Sequence, residues 1–338
     1  MLYFGPAREH STSLQRATAL SALGCDVRLV DSREAFDLYG PGGWRMRVEV
    51  RMGRGRTFRD AGRLLVQRAR DLEPDVVWLD AGYLVPARAV AELRRLRNRP
   101  LVVHYTPDSL WSPGMGHAGH RATLRACDVA VTTKRREVRT YRNLGVPRVV
   151  FSWQGYDPEV HRPPNPAPEG DDSMCFVGFV GQYHRERARL LERIARGVRC
   201  RVVALGPGWP GRGRPGIEVG GPVWGEAYAR ALATAALPLV LLNDRVRDEY
   251  TTRTLEIPAC GKPLIAPRTR VHGRLFRDAV HGRLFRAEEE LLDIVRKLLP
   301  DRARREEMGA AARRRVEELN LTWAGVLRRV LARLEILP

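Results

Sequence analysis

Short apolar runs alternate with amphipathic stretches from one end of the chain to the other. In the first half, "MLYFG", "DVRLVD", "DVVWLD", "PLVVHY", "DVAVTT" and "RVVFSW" read as strands. They are apolar almost throughout, as expected when both faces of a parallel sheet are covered by helices. Between them lie helical patterns. "STSLQRATALSALG" opens on Ser and Thr caps and closes on glycine, and "PARAVAELRRLR" and "KRREVRTYRNLG" follow. In "RGRTFRDAGRLLVQRARDLE" the residues Phe58, Ala61, Leu65, Arg68 and Leu72 fall near helical spacing, with other arginines between them. The segment "GYDPEVHRPPNPAPEGDDS" then breaks the pattern with Pro, Gly and Asp.

The second half starts the same pattern again. "MCFVGFVG" is a strand running into a glycine turn, and "HRERARLLERIARG" is a helix. The strands "RVVALG" and "LPLVLLN" follow with a helix between them, and then a helix runs into the strand "PLIAP". The stretch from "RAEEELLDIVRKLLP" to "RRRVEELN" is helical, and "LTWAGVLRRVLARLEIL" makes a last amphipathic helix. The heptapeptide "VHGRLFR" occurs at 271–277 and again at 280–286; two copies are too few for a solenoid and read as a local duplication. Alternation of this kind predicts an α/β chain of two doubly wound, Rossmann-like domains. The predicted parts are a domain over 1–155, a Pro-rich linker over 156–173, a second domain over 174–320 and a last helix over 321–338. Ligand sites of such sheets lie at the carboxyl ends of the strands, so two facing domains would share one cleft.

A length of 338 residues suits two domains of ordinary size. Hydrophobic residues at 44% and charged residues at 29% mark a globular chain, and no apolar run is as long as a membrane span. No signal peptide pattern is visible at the N-terminus, so the expected location is cytoplasmic. Cys25, Cys127, Cys175, Cys200 and Cys260 are scattered without metal-type spacing, which predicts reduced thiols, with Cys260 a packing residue. The formal charge is +19, and every one of the 58 basic residues except Lys134, Lys262 and Lys297 is arginine. The arginines are spread along the chain and read first as solvated helix faces. Peripheral contact with an anionic membrane surface, or with a phosphorylated substrate, is the functional alternative. No nucleic-acid-reading motif accompanies the charge, so no nucleic-acid partner is expected.

Three places in the second half suit an anionic ligand. In "FVGFVGQYHRERARLL", Gly178 and Gly181 would let backbone approach a ligand at a helix start, with Arg185 and Arg187 adding charge. The loop "LGPGWPGRGRPG" is basic but reads as surface, and Val223 beyond it is a candidate backbone contact to a nucleobase. In "NDRVRDEYTTRTLEIPACGKPLIAP", Thr251 or Thr252 would cap a helix whose first turn holds Arg253 for a phosphate. Glu256, one turn on, either complements the helix dipole beside Arg253 or binds the hydroxyls of a ribose.

"RTLEIPACGKP" resembles the R-x-x-E-x-x-A-C-G-x-P signature of nucleotide-sugar glycosyltransferases of the GT-B fold, nearest to the bacterial CgeB-type spore-maturation group. "PDVVWLDAGYLVP", "CDVAVTTKRREVRTYRNLGV", "GYDPEVHRP", "FVGFVGQYHRERARLL", "LLND" and the final helices follow in the same order. The resemblance implies a GT-B architecture whose last helix crosses back to the N-terminal domain. It implies a glycosyltransferase moving a sugar from a UDP-, GDP- or dTDP-sugar to an acceptor hydroxyl, with a retaining outcome. No Asp-x-Asp metal motif stands out, and arginines and helix dipoles can neutralise the diphosphate, so no metal or other cofactor is expected. The resemblance assigns Glu256 to the donor ribose, Arg253 to the diphosphate, and Gly181 and Arg187 to the glycine turn and basic helix start. Retaining relatives carry a second Glu separated from this one by seven residues; that position is Asp248 here, with Glu249 beside it. Matching acceptor-side candidates are Gly5, His10 and Ser13; an inverting outcome would need a base near the acceptor hydroxyl, for which Asp108 or His104 is the candidate. The acceptor class stays open among protein, polysaccharide, lipid-linked glycan and small metabolite. The rival readings are a GT-B epimerase or hydrolase acting on the donor alone and, from another class, a basic nucleic-acid-binding protein.

Overall fold

The computed structural model describes residues 1–35, 43–112, 114–165, 176–210, 216–243, 246 and 248–336. The chain divides into two compact units: Met1–Gln154 with Trp323–Pro338, and Gly155–Thr322. The expected linker lies partly outside the described residues, as do Cys175 and the middle of the loop at 206–216.

The first unit contains β1 (Leu2–Gly5), α1 (Thr12–Ala22), β2 (Arg28–Asp31), α2 (Gly43–Met52), α3 (Arg56–Leu72) and β3 (Val76–Asp80). It continues through α4 (Ala87–Leu93), β4 (Leu101–Thr106), α5 (Ala118–Ala126), β5 (Val129–Thr132), α6 (Glu137–Asn143) and β6 (Arg148–Phe151). All strands are parallel, in the order β2-β1-β3-β4-β5-β6. The central strands are buried along their length, which is why their sequences are unbroken apolar runs. Ser11 caps α1, its side chain accepting from Leu14 N–H at 3.1 Å.

The second unit contains β7 (Phe176–Val180), α7 (Arg185–Val198), β8 (Arg201–Leu205), β9 (Ile217–Gly220), α8 (Gly225–Thr234) and β10 (Leu237–Pro238). Then come α9 (Arg253–Ala259), β11 (Leu264–Pro267), α10 (Arg270–Leu275), β12 (Gly282–Phe285), α11 (Glu288–Leu298) and α12 (Arg302–Leu319). The last helix, α13 (Trp323–Leu334), belongs to the first unit. Two parallel sheets, β10-β7-β8-β9 and β11-β12, are joined by the parallel bridge Leu239–Ile265, where Val240 N–H donates to Ile265 O at 2.9 Å. Across both sheets the order is β9-β8-β7-β10-β11-β12. The long helical pattern before α13 breaks at Pro300, and Asp301 caps the new helix by accepting from Arg304 N–H at 3.0 Å. Among the described residues no helix is long and apolar enough to cross a membrane.

Candidate functional site

In a doubly wound sheet the chain leaves a crevice where consecutive strands part to opposite sides. In the second unit those strands are β7 and β10. Gly181, just beyond β7, donates to Leu205 O at 2.8 Å. A Cβ at Gly206 would come within 2.2 Å of Gly181 O, so the turns after β7 and β8 are pressed together backbone to backbone. Behind them α7 starts at Arg185, and His184 makes no side-chain cap there. Arg185 is exposed there. Arg187 folds back instead: it donates to Gln182 O at 3.2 Å and lies 5.6 Å from the Phe179 ring centroid. Gly178 departs from its expected role. It is an interior residue of β7, and its missing side chain makes room for Ala235, whose Cβ would lie 2.6 Å from an added one.

The stretch around α9 builds a second cluster. Thr252 stands at the cap position with helical dihedrals and makes no side-chain cap, so neither threonine plays the expected part. Pro258 cannot donate within α9, and the helix ends almost at once in Gly261, whose φ of +76° suits glycine. Glu256 is 6% exposed. Its Oε2 accepts from Tyr228 Oη at 2.6 Å, and its Oε1 lies 3.8 Å from His161 Nε2. His161 Nδ1 accepts from Asp157 N–H at 3.0 Å, which leaves the ring proton on Nε2, facing the carboxylate. Burial first, and then the Glu256 charge, hold the Tyr228 phenol well above its ordinary range, so it stays a hydrogen-bond donor.

Arg253 does not neutralise this acid by pairing with it. Its Nε is buried and makes no hydrogen bond among the described residues, and the same holds for Thr251 Oγ1. Two polar atoms without partners therefore stand at the mouth of α9, one turn from an oriented carboxylate. Asp248 is half-buried in the preceding loop, its N–H donating to Asn243 O at 3.3 Å, and Val223 is half-buried ahead of α8. Cys260 is buried behind the cluster, its thiol pushed up to about 12 by burial and then by Glu256. Tyr228 and His161 escaped the sequence reading as site residues. Tyr228 sits on the buried face of α8, and His161 lies in the quoted "GYDPEVHRP", whose position alone does not show what the ring touches.

In the first unit the parting strands are β1 and β3, and their crevice is filled. Asp80 takes Arg16 Nε at 2.6 Å and Nη2 at 2.9 Å, and it is in hydrogen-bond contact with the Tyr3 hydroxyl. Arg16 is stacked between the Tyr105 and Trp323 rings at 4.8 and 4.9 Å. Ser13 is buried, with its carbonyl oxygen 2.9 Å from Tyr3 Oη, and a Cβ at Gly5 would fall 2.8 Å from both Asp80 Cβ and Ser13 Oγ. Gly5 and Ser13 thus complete a buried polar cluster within the first unit. His10 is exposed at φ +59°, beside Glu9.

His104 is a further correction. It is fully buried, and its Nε2 lies 3.1 Å from Nε2 of His120, which bonds Met115 O through Nδ1. Burial, then the neighbouring ring, hold its pKa well below the ordinary value. It stays neutral and serves the core. Asp108, by contrast, is exposed just past β4, its N–H donating to Thr106 Oγ1 at 3.1 Å. Among the described residues no group of three or more His, Cys, Asp and Glu could hold a metal ion.

Residues 185–332 match the family described as Glycosyl transferase-like. Those residues run from α7 into α13, and over them the chain is similar to glycosyltransferases. Solved structures extend the likeness to the whole chain, and to the GT-B fold. HepE from Anabaena in complex with UDP-glucose superposes with a TM-score of 0.66 over 99% of both chains at 12% identity. A glycosyltransferase from Rickettsia africae gives 0.65 at 11% identity, over 98% of this chain and 96% of the other. TarM from S. aureus, a point mutant in complex with Fondaparinux, alpha-GlcNAc-glycerol and UDP, gives 0.57 at 12% identity. That superposition takes in 80% of this chain and 58% of TarM. No curated protein matches the sequence.

Proposed function

We propose that this glycosyltransferase moves a sugar from a nucleotide-diphosphate-sugar to an acceptor hydroxyl, with retention and without a metal. The observation that carries the reading is the mouth of α9: the unpartnered Arg253 Nε and Thr251 Oγ1 beside the carboxylate that Tyr228 and His161 orient. Arg253 meets the diphosphate and Glu256 the ribose hydroxyls, and the turn at Gly181 with the start of α7 and Arg185 supplies further positive potential. Val223 faces the base and Asp248 the sugar. HepE and TarM, whose structures hold UDP-glucose and UDP, support a uridine nucleotide ahead of GDP- or dTDP-sugars.

In the transfer, the bond between the anomeric carbon and the diphosphate oxygen breaks and the acceptor oxygen takes its place. The leaving diphosphate gains charge, which Arg253 and Arg185 stabilise, and the acceptor proton passes to it. The acceptor belongs to the first unit, where Asp108 is the exposed carboxylate past β4. Kinship with the CgeB-type group rests on the motif at 253–263.

Thermal melting against UDP, GDP and dTDP and their glucose conjugates tests the donor assignment. One nucleoside diphosphate raises the melting temperature, and Glu256→Gln weakens that ligand about tenfold, a loss of roughly 1.4 kcal/mol. A melting curve that no nucleotide moves sinks the proposal. Release of free sugar from donor alone at the full rate would replace the transferase with a hydrolase, and NMR of the product anomer decides between retention and inversion.

A further inference from the structure

The helix α2 carries apolar residues on two opposite faces. Gly43, Met46 and Val50 are buried against the first unit, where Met46 and Val50 pack with Phe58 and Leu84. On the outer face Trp44, Val48 and Met52 are 63%, 48% and 55% exposed. They recur every fourth residue, so at 3.6 residues per turn they form one ridge along the side of the helix turned away from the core. An ordinary surface helix is polar there. Three large apolar side chains left about half in water contribute little to this unit's own packing, and a ridge of this kind marks a contact surface. Arg47 and Arg51 flank it on one side and Arg45 on the other, all exposed, with Arg54 just beyond the helix end. Glu49, the acid of this helix, is turned to α3, where its carboxylate accepts from Thr57 N–H at 2.8 Å.

We propose that α2 is an interfacial helix that seats the first unit on an anionic lipid surface. The ridge enters the boundary between headgroups and acyl chains, Trp44 lies at headgroup level, and the guanidinium groups meet lipid phosphates. Charge decides among the occupants. A second copy meeting this face ridge to ridge would bring the same arginines against each other, which opposes self-association. A nucleic acid would satisfy the arginines and leave the ridge in water. An anionic membrane satisfies both. The surface is independent of the donor reading.

Vesicle cosedimentation with the full chain tests it. The protein is expected to bind vesicles of phosphatidylglycerol and phosphatidylcholine in equal amounts and to stay in solution with phosphatidylcholine alone. The triple substitution W44S/V48S/M52S lowers the partition coefficient at least about tenfold. R45Q/R47Q/R51Q lowers it as well and removes its dependence on salt. These side chains face water, so both variants keep the circular dichroism and melting temperature of the parent. Equal partition of the parent into both vesicle types overturns the proposal, as does a ridge variant that binds like the parent. Sedimentation that shows a dimer lost in the ridge variant, with no vesicle binding, assigns the face to a second copy and overturns it too.

Discussion

The two units share a layered α/β design and differ in where the chain reverses across the sheet. In the first, order β2-β1-β3-β4-β5-β6 puts the reversal between β1 and β3; in the second it falls between β7 and β10. The same rule of fold marks both crevices as ligand positions. Yet the first is occupied by the chain's own Tyr3, Arg16 and Asp80, each almost wholly buried. In the second, the backbones of Gly181 and Gly206 meet beyond β7 and β8, ahead of a helix start that His184 does not cap. Topology offers a position, and the residues at the strand ends decide what stands there.

Removing Asp80 is the strongest way to break this contrast. Asp80→Ala would leave the Arg16 guanidinium buried without a counter-charge, at a cost of about 3–5 kcal/mol. Amide exchange should accelerate across β1, β3 and β4 and change little in β7 and β8. Equal loss in both units would show that they unfold together. Acid sharpens the comparison next. In the first unit burial holds His120 down to about 4 and His104 well below its ordinary value; in the second it holds His272 down to about 4. All three rings are neutral when folded and regain an ordinary pKa near 6.5 on unfolding. Their stabilising effect is therefore complete above about pH 6.5 and is lost as pH falls toward 4, His120 alone accounting for about 3 kcal/mol. With two such rings against one, the first unit should lose protection earlier in exchange measured from pH 7 to 4.

The smallest contrast lies inside the second unit. A Cβ at Gly282, φ +147°, would come within 2.1 Å of Leu264 O, whereas Gly273 has open space around it within α10. Gly282→Ala should cost about 1–3 kcal/mol by forcing β12 from β11. Gly273→Ala should raise stability by about 0.5–1 kcal/mol. Urea unfolding of the two single variants reads both, and equal effects would mean that the duplicated segments are not held as described.

Legibility followed burial. The strands with both faces covered, such as β3 and β4, stood out as apolar runs, and α1 and α7 announced themselves by cap or periodicity. The elements that escaped were short or compositionally odd: α2 with its arginines, α5 with "AGHRATLRA", the four-residue β9, and α10 and β12. "LPLVLLN" read as a full strand, but its ladder shortens to Leu237–Pro238 and one bridge at Leu239. At the candidate site Arg253 and Glu256 were legible from a local motif. Their relation was not, because Glu256 turns to Tyr228, a neighbour brought in by another helix. His104 misled for the same reason, since a strand-end histidine is exposed or buried according to what packs over it, here His120.

The heptapeptide "VHGRLFR" separates what sequence decides from what it leaves to the fold. Its first copy is the helix α10 and its second the strand β12. By itself the chain determined the alternation of apolar runs and amphipathic stretches, and with it the doubly wound class. It could not assign seven identical residues to two structures. Thr269 caps the first copy, accepting from His272 N–H at 3.0 Å, and His272 is buried with Nε2 3.0 Å from Thr254 Oγ1. In the second copy Asp278 accepts from Leu284 N–H at 3.0 Å, and Gly282 lies against the β11 backbone, where a side chain would clash. A segment this short has too little local preference to resist its neighbours. Caps, hydrogen-bond partners and an open strand edge supplied from elsewhere in the chain decide its form.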